Sequence, residues 1–577
     1  MHPAEESLTL RIQTALRAAF GPEHQLRDAQ LRPATRPQFG HYQTSAALQL
    51  SKPLGVSPRQ VAQKLLDHLE VEDICLPPQL AGAGFINFTM RSEYLAARLT
   101  AMLGSGRLGL PMTSTPQRVV IDYSSPNVAK EMHVGHLRST VIGDALARVL
   151  SYAGHTVVRQ NHIGDWGTQF GMLIEQLLAE GHDRVDLDLA GLDQLYRRAR
   201  AHFDDDPIFA STARRRVVAL QVGDAATLGL WRDLVAVSVD AFEHTYRRLG
   251  ALLEETDVAG ESSYNDALAG VVADLDLLGL LTVSEGAKCA FPEGFVGRDG
   301  APLPVIVQKS DGGFGYAATD LAALRHRVQV LAADRLVYVV DARQALHFQQ
   351  AFAVARQASW LPERVVVQHV AFGTVLGEDG KPFKTRSGQT VRLSLLLDEA
   401  QNRASAVLAE RGSDLQEPER SVLARSIGIG AVKYADLAND LGRDYVFAVE
   451  RMVALEGNTG PYLQYAHARL CSLLARADSA TATTSTLRLE EPAEQRLALL
   501  VMGWGSVIDD VAARLEPHRL CGYLFSVASA LSVFYENCPV LKAEEPSRSS
   551  RLALCRVTRD VLATGLGLLG IDAPARM

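Results

Sequence analysis

Apolar positions recur at helical spacing through most of the first hundred residues, in LTLRIQTALRAAF, SPRQVAQKLLDHL and SEYLAARLTAML, and predict amphipathic helices. AGAGFINFTM alternates instead and predicts a strand. A polar stretch flanked by Pro111 and Pro116 closes this α+β unit, placed at residues 1–112. The texture then changes. Val119–Tyr123 is an unbroken apolar run apart from Asp122, and predicts a buried strand. Leu137, Val141, Ile142, Ala145, Leu146, Val149 and Leu150 mark one face of a helix that Gly154 would stop. Thr156–Arg159 is the next strand, and Leu336–Val340 and Val365–Val367 supply two more. Strand, helix and strand in this order predict a doubly wound parallel sheet.

A mostly helical, highly charged insertion is expected at about 175–300, within an α/β unit spanning 113–395. Its Arg197, Arg198, Arg200, Arg214, Arg215 and Arg216 suit either a solvated helix face or a phosphate-facing patch. From 396 to 577 nearly everything is helical in pattern. Pro461 suits a first helical turn after Asn458-Thr-Gly460, and the small polar run Asp478–Thr486 predicts a loop. The fold class expected is therefore α/β multidomain, with an α+β N-terminal unit, a Rossmann-like parallel-sheet core and an all-α C-terminal bundle. No internal repeat is visible.

Composition adds limits. In 577 residues, 58 Lys+Arg against 66 Asp+Glu give a net charge of −8, which leaves a local basic face for nucleic acid open. No stretch of about 18 apolar residues predicts a membrane span, and MHPAEESLTLRI does not have the pattern of an export signal. The six cysteines form no C-x-x-C pair, so free thiols in a reducing cytoplasm are expected.

The chemistry concentrates in Ser124–His136, between a buried strand and a helix. Open α/β sheets bind ligands at the carboxyl ends of their strands. His133 and His136 flank Gly135, and the helix that follows offers free N–H groups and a positive dipole end. Together they make a polyphosphate site. As a bare pattern H-x-G-H also fits chance or a metal pair, but zinc would want a third ligand, so no metal site is expected. No G-x-x-x-x-G-K-[ST] loop is present.

The strand, HVGH and helix resemble the HIGH signature of class I aminoacyl-tRNA synthetases. The flanks SSPNVAKEMHVGHLRST and NHIGDWGTQFGMLI resemble the arginyl-tRNA synthetases of the bacterial type. So do ETDVAGESSYN, GYAATDLAALRHR, YVVDARQALHF, GEDGKPFKTRSGQTVRL, NTGPYLQYAHARL, LSVFYENCPVL and GLGLLGIDAPARM. The resemblance runs from Phe39 to the C-terminus.

The resemblance implies ATP-dependent activation of L-arginine to arginyl-adenylate, and transfer to the 3′ end of tRNA(Arg), with Mg2+ entering with ATP. It implies that activation requires bound tRNA. His133, His136, Lys130 and Gly135 would be catalytic. ATP would lie against Pro126, Asn127, Val128, Ala129, Lys130, Glu131, Met132, His133, Val134, Gly135 and His136, with His347 at its ribose. The family's second signature, KMSKS, corresponds to Pro382-Phe-Lys-Thr-Arg386 and is degenerate here. Pro382 and Thr385 stand at the signature's first and fourth positions, where lysine is usual, so Lys130 is expected to compensate, with Lys381, Lys384 and Arg386 as further cations.

Arginine selection is implied at Asn127, Glu261, Tyr316, Asp320 and Gln344: carboxylates for the five-donor guanidinium, amides for the α-amino acid end, Tyr316 as a wall. His162 or Gln169 would touch ribose or the tRNA end, and Trp166 is equally expected to pack. The N-terminal unit would read the D-loop corner through Phe39, Tyr42 and Gln43, which as core residues would read nothing. The C-terminal DALR-type domain offers Tyr462, Arg469, Tyr535 and Met577, with Tyr465 and His467 nearby. A cytoplasmic monomer is expected, with no DNA or membrane partner. A class I enzyme for another amino acid would share the histidines without needing Glu261 and Asp320 together. A non-catalytic tRNA-binding paralogue would be expected to lose Lys130 or the histidines.

Overall fold

The computed structural model describes residues 3–24, 28–34, 36–381, 383, 391–410, 416–477 and 487–577. The expected Asp478–Thr486 loop lies outside them, as do Pro382, Lys384, Thr385 and Arg386.

Four parallel strands form the central sheet in the spatial order Val366–Phe372, Arg335–Asp341, Arg118–Asp122, Thr156–Gln160. Arg118–Asp122 pairs with Thr156–Gln160 on one side and with Arg335–Asp341 on the other. The chain therefore reverses its direction of winding between the first strand and Arg335–Asp341. The carboxyl ends of these two strands diverge at that switch point, leaving a crevice.

The helix Val134–Ala153 follows the first strand. It is buried almost all round, which explains why its apolar face is so wide. Gly143 lets it lie directly on the strand, since a Cβ there would stand 2.3 Å from the Tyr123 side chain. Gly154 caps its end in a left-handed conformation, φ 106°.

The N-terminal unit is a four-stranded antiparallel sheet in the order Leu31–Pro33, Tyr42–Thr44, Phe85–Phe88, Gln79–Ala81. It carries the helices expected from the apolar spacing, Pro3–Phe20, Pro58–Leu66 and Ser92–Leu103.

The insertion differs from its expected form. Its helices include Thr168–Ala179, Leu189–Asp205, Pro207–Gln221, Ala225–Leu249 and Asn265–Leu277. An antiparallel sheet of Thr282–Ser284, Ala287–Ala290 and Val305–Gln308 then follows. These strands are three or four residues long and half exposed, too short for a period to register. Arg197, Arg198, Arg200 and Arg216 bind Asp193, Glu180, Asp204 and Glu175 respectively, so much of the arginine cluster is a solvated, charge-paired face.

The C-terminal part is helical, and Gly460–Ala475 begins with Thr459 as its cap and Pro461 in its first turn. Trp504 on Trp504–Arg514 packs edge-on against Tyr152 and donates its Nε1–H to the Tyr152 hydroxyl. Deeper in, Arg138 of the Val134–Ala153 helix pairs with Asp436 of Glu419–Leu437 at 3.3 Å, both buried. Arg138 also donates to the carbonyls of Gly373 and Arg443.

Removing one partner of a buried pair leaves an uncompensated charge, which costs about 3–5 kcal/mol. Asp436→Ala is expected to lower stability by that order in urea unfolding followed by far-UV circular dichroism.

Candidate functional site

The loop Ser124–His133 leaves the first strand at the switch point and enters the helix. His133 is the N-cap: its Nδ1 accepts from the Gly135 N–H at 3.0 Å. His136 answers in kind, its Nδ1 accepting from the His133 N–H at 3.1 Å. A Cβ on Gly135 would stand 2.8 Å from the His133 ring, so glycine is what lets that ring fold back over the helix end. With both Nδ1 atoms accepting, each neutral ring carries its proton on Nε2. Burial pushes the His136 pKa down to about 3, with His133 and Lys130 adding to the fall. Burial and then Lys130 lower His133 as well. The two rings, 3.9 Å apart between centroids, are thus neutral hydrogen-bond donors at pH 7 rather than cations.

The crevice holds a cavity of about 510 Å³. It is lined by His133, Gly135 and His136 on one side and by Glu261, Tyr316, Asp320, Gln344 and His347 on the other, with Asn127 and His162 between. Glu261 opens a short 3-10 turn, Glu261–Tyr264, whose first N–H donates to the Ile163 carbonyl. Burial pushes its carboxyl pKa up to about 8, with Asp165 and Asp320 raising it further. Asp165 is buried and accepts from both the N–H and the hydroxyl of Ser262, so it fixes the turn that presents Glu261. Asp320 sits one turn into Tyr316–Gln329 and accepts from His347 Nε2 at 2.5 Å. This bond raises the His347 pKa against the effect of burial. The Nε2 of His347 is therefore engaged by Asp320, while the ring remains on the cavity lining. Tyr316 lies at the rim, 78% exposed.

Several expected contacts fall elsewhere. Val128, Ala129, Met132 and Val134 turn into the core, and Pro126 is buried too. None of the five lines the cavity; the loop must bury apolar side chains to stay anchored. Glu131 pairs with Arg392 at 2.7 Å. Lys130 stands over the Tyr196 ring, 4.6 Å from its centroid. It lines an adjoining cavity of about 360 Å³ with Arg200, Lys309 and Trp166, which shares Asn127, Glu261 and Tyr316 with the first. Trp166 packs edge-on against Trp231. Lys381 lines neither cavity, and Lys384 and Arg386 lie outside the described residues. The segment that returns from that loop is nonetheless tied to the histidines: Val134 N–H donates to the Val391 carbonyl and Leu393 N–H to the Met132 carbonyl.

Tyr42 is a core residue of the N-terminal unit, and Gln43 is held by Asn87 at 2.6 Å; Phe39 ends the short turn Pro37–Phe39 and is half-buried. Tyr462, Tyr465, Arg469 and Tyr535 do come together around a small cavity, with Arg469 stacked 3.7 Å above the Tyr535 ring. Met577 packs against Ala404, Leu408, Leu423, Ala424 and Ile427 instead. His467 is buried, its Nδ1 2.9 Å from the Pro574 carbonyl. Sequence reasoning missed Asp122, Ser124, Ser125, Thr319, Asp341 and Arg343 in the cavity lining. For all but Thr319, which lies on the helix Tyr316–Gln329, a position at or just past a strand's carboxyl end was the available signal. Among the described residues no group of three or more His, Cys, Asp or Glu is placed to hold a metal ion, and no helix is long and apolar enough to cross a membrane.

A parallel sheet with H-x-G-H capping the helix at its switch point, an insertion after the second strand and a helical C-terminal part define a class I aminoacyl-tRNA synthetase. The family models agree: tRNA synthetases class I (R), catalytic domain, matches residues 98–449. Arginyl tRNA synthetase N terminal domain matches 6–90, and DALR anticodon binding domain matches 463–577. The arginine–tRNA ligase of Thermobifida fusca is 52% identical over 574 residues, covering 99% of each chain. That of Cutibacterium acnes is 51% identical, covering 99% of this chain and all of its own. Solved arginyl-tRNA synthetases of Plasmodium falciparum (TM-score 0.84, 28% identity, 100% of both chains) and Thermus thermophilus (0.80, 26%, 99% of this chain and 100% of that one) share the fold. The chain belongs to the arginyl-tRNA synthetase family, a family of ATP-using ligases.

The raised Glu261 pKa fixes a sign. Between its ordinary 4.5 and about 8 the folded chain holds a proton that the unfolded chain releases, so this group costs stability as pH rises through that window. Glu261→Gln is expected to flatten the loss, and to be more stable than the parent at pH 8.5 by an amount on the order of 1–3 kcal/mol in denaturant titrations.

Proposed function

We propose that the cavity binds ATP and L-arginine side by side and joins them. A carboxylate oxygen of arginine attacks the α-phosphorus of ATP; the bond from that phosphorus to the bridging oxygen breaks, and pyrophosphate leaves. A hydroxyl of the terminal adenosine of tRNA(Arg) then attacks the arginyl carbonyl and AMP leaves. One observation carries this reading: two neutral Nε2–H donors and the carboxyl groups of Glu261 and Asp320 line the same cavity.

The histidines suit charge that builds on phosphate oxygens, where pre-aimed donors lower the barrier. Glu261 and Asp320 suit the guanidinium, which cannot lose its charge. In the empty pocket Glu261 is largely protonated at neutral pH; an arriving guanidinium supplies the charge that lets it ionise. Asn127 and Gln344 are assigned to the α-amino and carboxylate groups, and Lys130 to the phosphates once its contact with Tyr196 opens. Mg2+ belongs with ATP, as is usual for an ion bound through phosphates. The reading includes activation only in the presence of tRNA, and a monomer in the cytoplasm with no DNA or membrane partner. It also includes the division into an N-terminal unit at 1–112, a catalytic unit at 113–395 and a helical unit at 396–577. An enzyme for another amino acid is disfavoured by the paired carboxylates, and by relatives that are all named for arginine.

ATP–pyrophosphate exchange driven by arginine, with and without tRNA(Arg), tests the reading. Exchange is expected only with tRNA; none in either case would remove it. His136→Ala is expected to lower kcat by about 10²–10³-fold, the usual cost of one aimed donor. The KM for arginine is expected to fall as pH rises from 6.5 to 8 and then level off, and Glu261→Gln should abolish that slope.

A further inference from the structure

The loop that carries Asn127 and Lys130 holds an unusual backbone. Ser124, Ser125 and Ala129 have φ of 72°, 49° and 61°, the left-handed region that non-glycine residues avoid unless their surroundings impose it. Ser139 of the Val134–Ala153 helix accepts the Ser124 N–H and Asp122 accepts the Ser125 hydroxyl; the element that reaches all three residues is the insertion helix Ala225–Leu249. Leu234, Ser238, Phe242 and Tyr246 recur along it every four residues, all buried.

Ser238, wholly buried, spends its own proton on the Leu234 carbonyl and accepts the Ala129 N–H at 3.0 Å. Two turns on, the Tyr246 hydroxyl lies 2.8 Å from the Ser124 hydroxyl. It also accepts from Asn161 Nδ2 at 3.0 Å, and Asn161 Oδ1 accepts the Ser125 N–H. Each of the three left-handed residues is thus fixed, directly or through Asn161, by this helix.

We infer that Ser238 and Tyr246 are positioning residues for the nucleotide-binding loop: they hold it in a left-handed form it would otherwise leave, and so couple the insertion to adenylate formation. Neither touches the cavity. Without Ser238 the Ala129 N–H is buried unpaired, and Ala129 gains by relaxing to a negative φ, which swings its neighbours Asn127 and Lys130. The inference builds on the proposed activation of arginine, for which ATP must sit against this loop.

A double-mutant cycle on the full chain tests it, with the KM for ATP read in arginine- and tRNA-dependent exchange and ATP affinity measured in parallel by calorimetry. Ser238→Ala is expected to weaken ATP binding and raise its KM by about tenfold, the equivalent of one left-handed residue released. In the Ala129→Gly background, where a left-handed φ carries no Cβ penalty, the same Ser238→Ala change should cost no more than about twofold. A role confined to packing would not show this rescue, since glycine only adds chain entropy to be lost. Equal penalties in both backgrounds, or none in either, would overturn the inference. If Ser238→Ala does not fold, Tyr246→Phe measured with and without Ser125→Gly makes the same comparison, with the same two outcomes. A parent chain without exchange would count against the proposed activity, while calorimetry would still judge Ser238.

Discussion

Arg138 is buried to 1% exposure on a helix with almost no solvent face, and separate parts of the chain converge on it. Its partners come from three directions: Asp436 from the helical part, Gly373 from the end of an edge strand, Arg443 from the short segment that pairs beside Val375. A guanidinium this deep cannot be left half-paired. The helix that bears His133 and His136 is therefore locked at once to the sheet, to the helical part and to the chain leading into the 377–390 loop. A second charge on the same helix repeats the logic. Asp144 accepts from Arg148 and from the Leu252 N–H, just past the insertion helix Ala225–Leu249. Beside it Lys433 is buried and bound to the Leu249 and Gly570 carbonyls, its pKa lowered by burial to about 8. One buried helix thus indexes the sheet, the insertion and the helical part against the two histidines at its end.

The cavity divides its electrostatics by side. On the helix side the donors are neutral, because their Nδ1 atoms are spent capping the helix and burial removes the option of protonation. A neutral donor binds a phosphate oxygen without attracting a permanent counter-ion, and its strength grows as charge develops. On the opposite side carboxyl groups crowd without a fixed cation of their own, except where His347 covers Asp320. Arg343, a guanidinium on the cavity lining, is occupied by Asp341 at 2.8 Å. Such a side is unfavourable when empty and favourable when a cation arrives.

Much of this was legible in the sequence, for reasons that can be named. The Val119–Asp122 run, the helix stripe from Leu137 to Leu150 and the Gly154 stop all rest on local periodicity and backbone chemistry, which act within a few residues. Bringing Glu261, Asp320 and Gln344 to the histidines depended on resemblance, since no local signal says where three separate segments converge. The short strands between Thr282 and Gln308 escaped because three residues cannot express a period. Individual side-chain directions escaped for a different reason. Lys130 on Tyr196, Tyr42 in the core and Met577 against Leu408 are decided by packing between distant elements. Loop residues such as Val128 and Ala129 read as ligand contacts because they sit inside a motif, yet their burial is what pins the motif down.

The same distinction explains why the insertion cannot be treated as an ornament on the sheet. Its charged outer face is satisfied within itself, helix against helix, by pairs such as Arg198 with Glu180. Exposed pairs of that kind contribute little, so they neither hold the insertion in place nor tie it to the site. What ties it is the apolar core it shares with the sheet, together with buried polar contacts: the Trp231 Nε1–H on the Asp165 carbonyl, the Asp165 carboxylate on Ser262, and the Ser238 and Tyr246 hydroxyls on the loop. Buried hydrogen bonds to a strained backbone are expensive to lose, whereas the surface pairs can exchange with water at little cost. The insertion's inner face is therefore joined through Ala225–Leu249 to the residues on either side of Asn127.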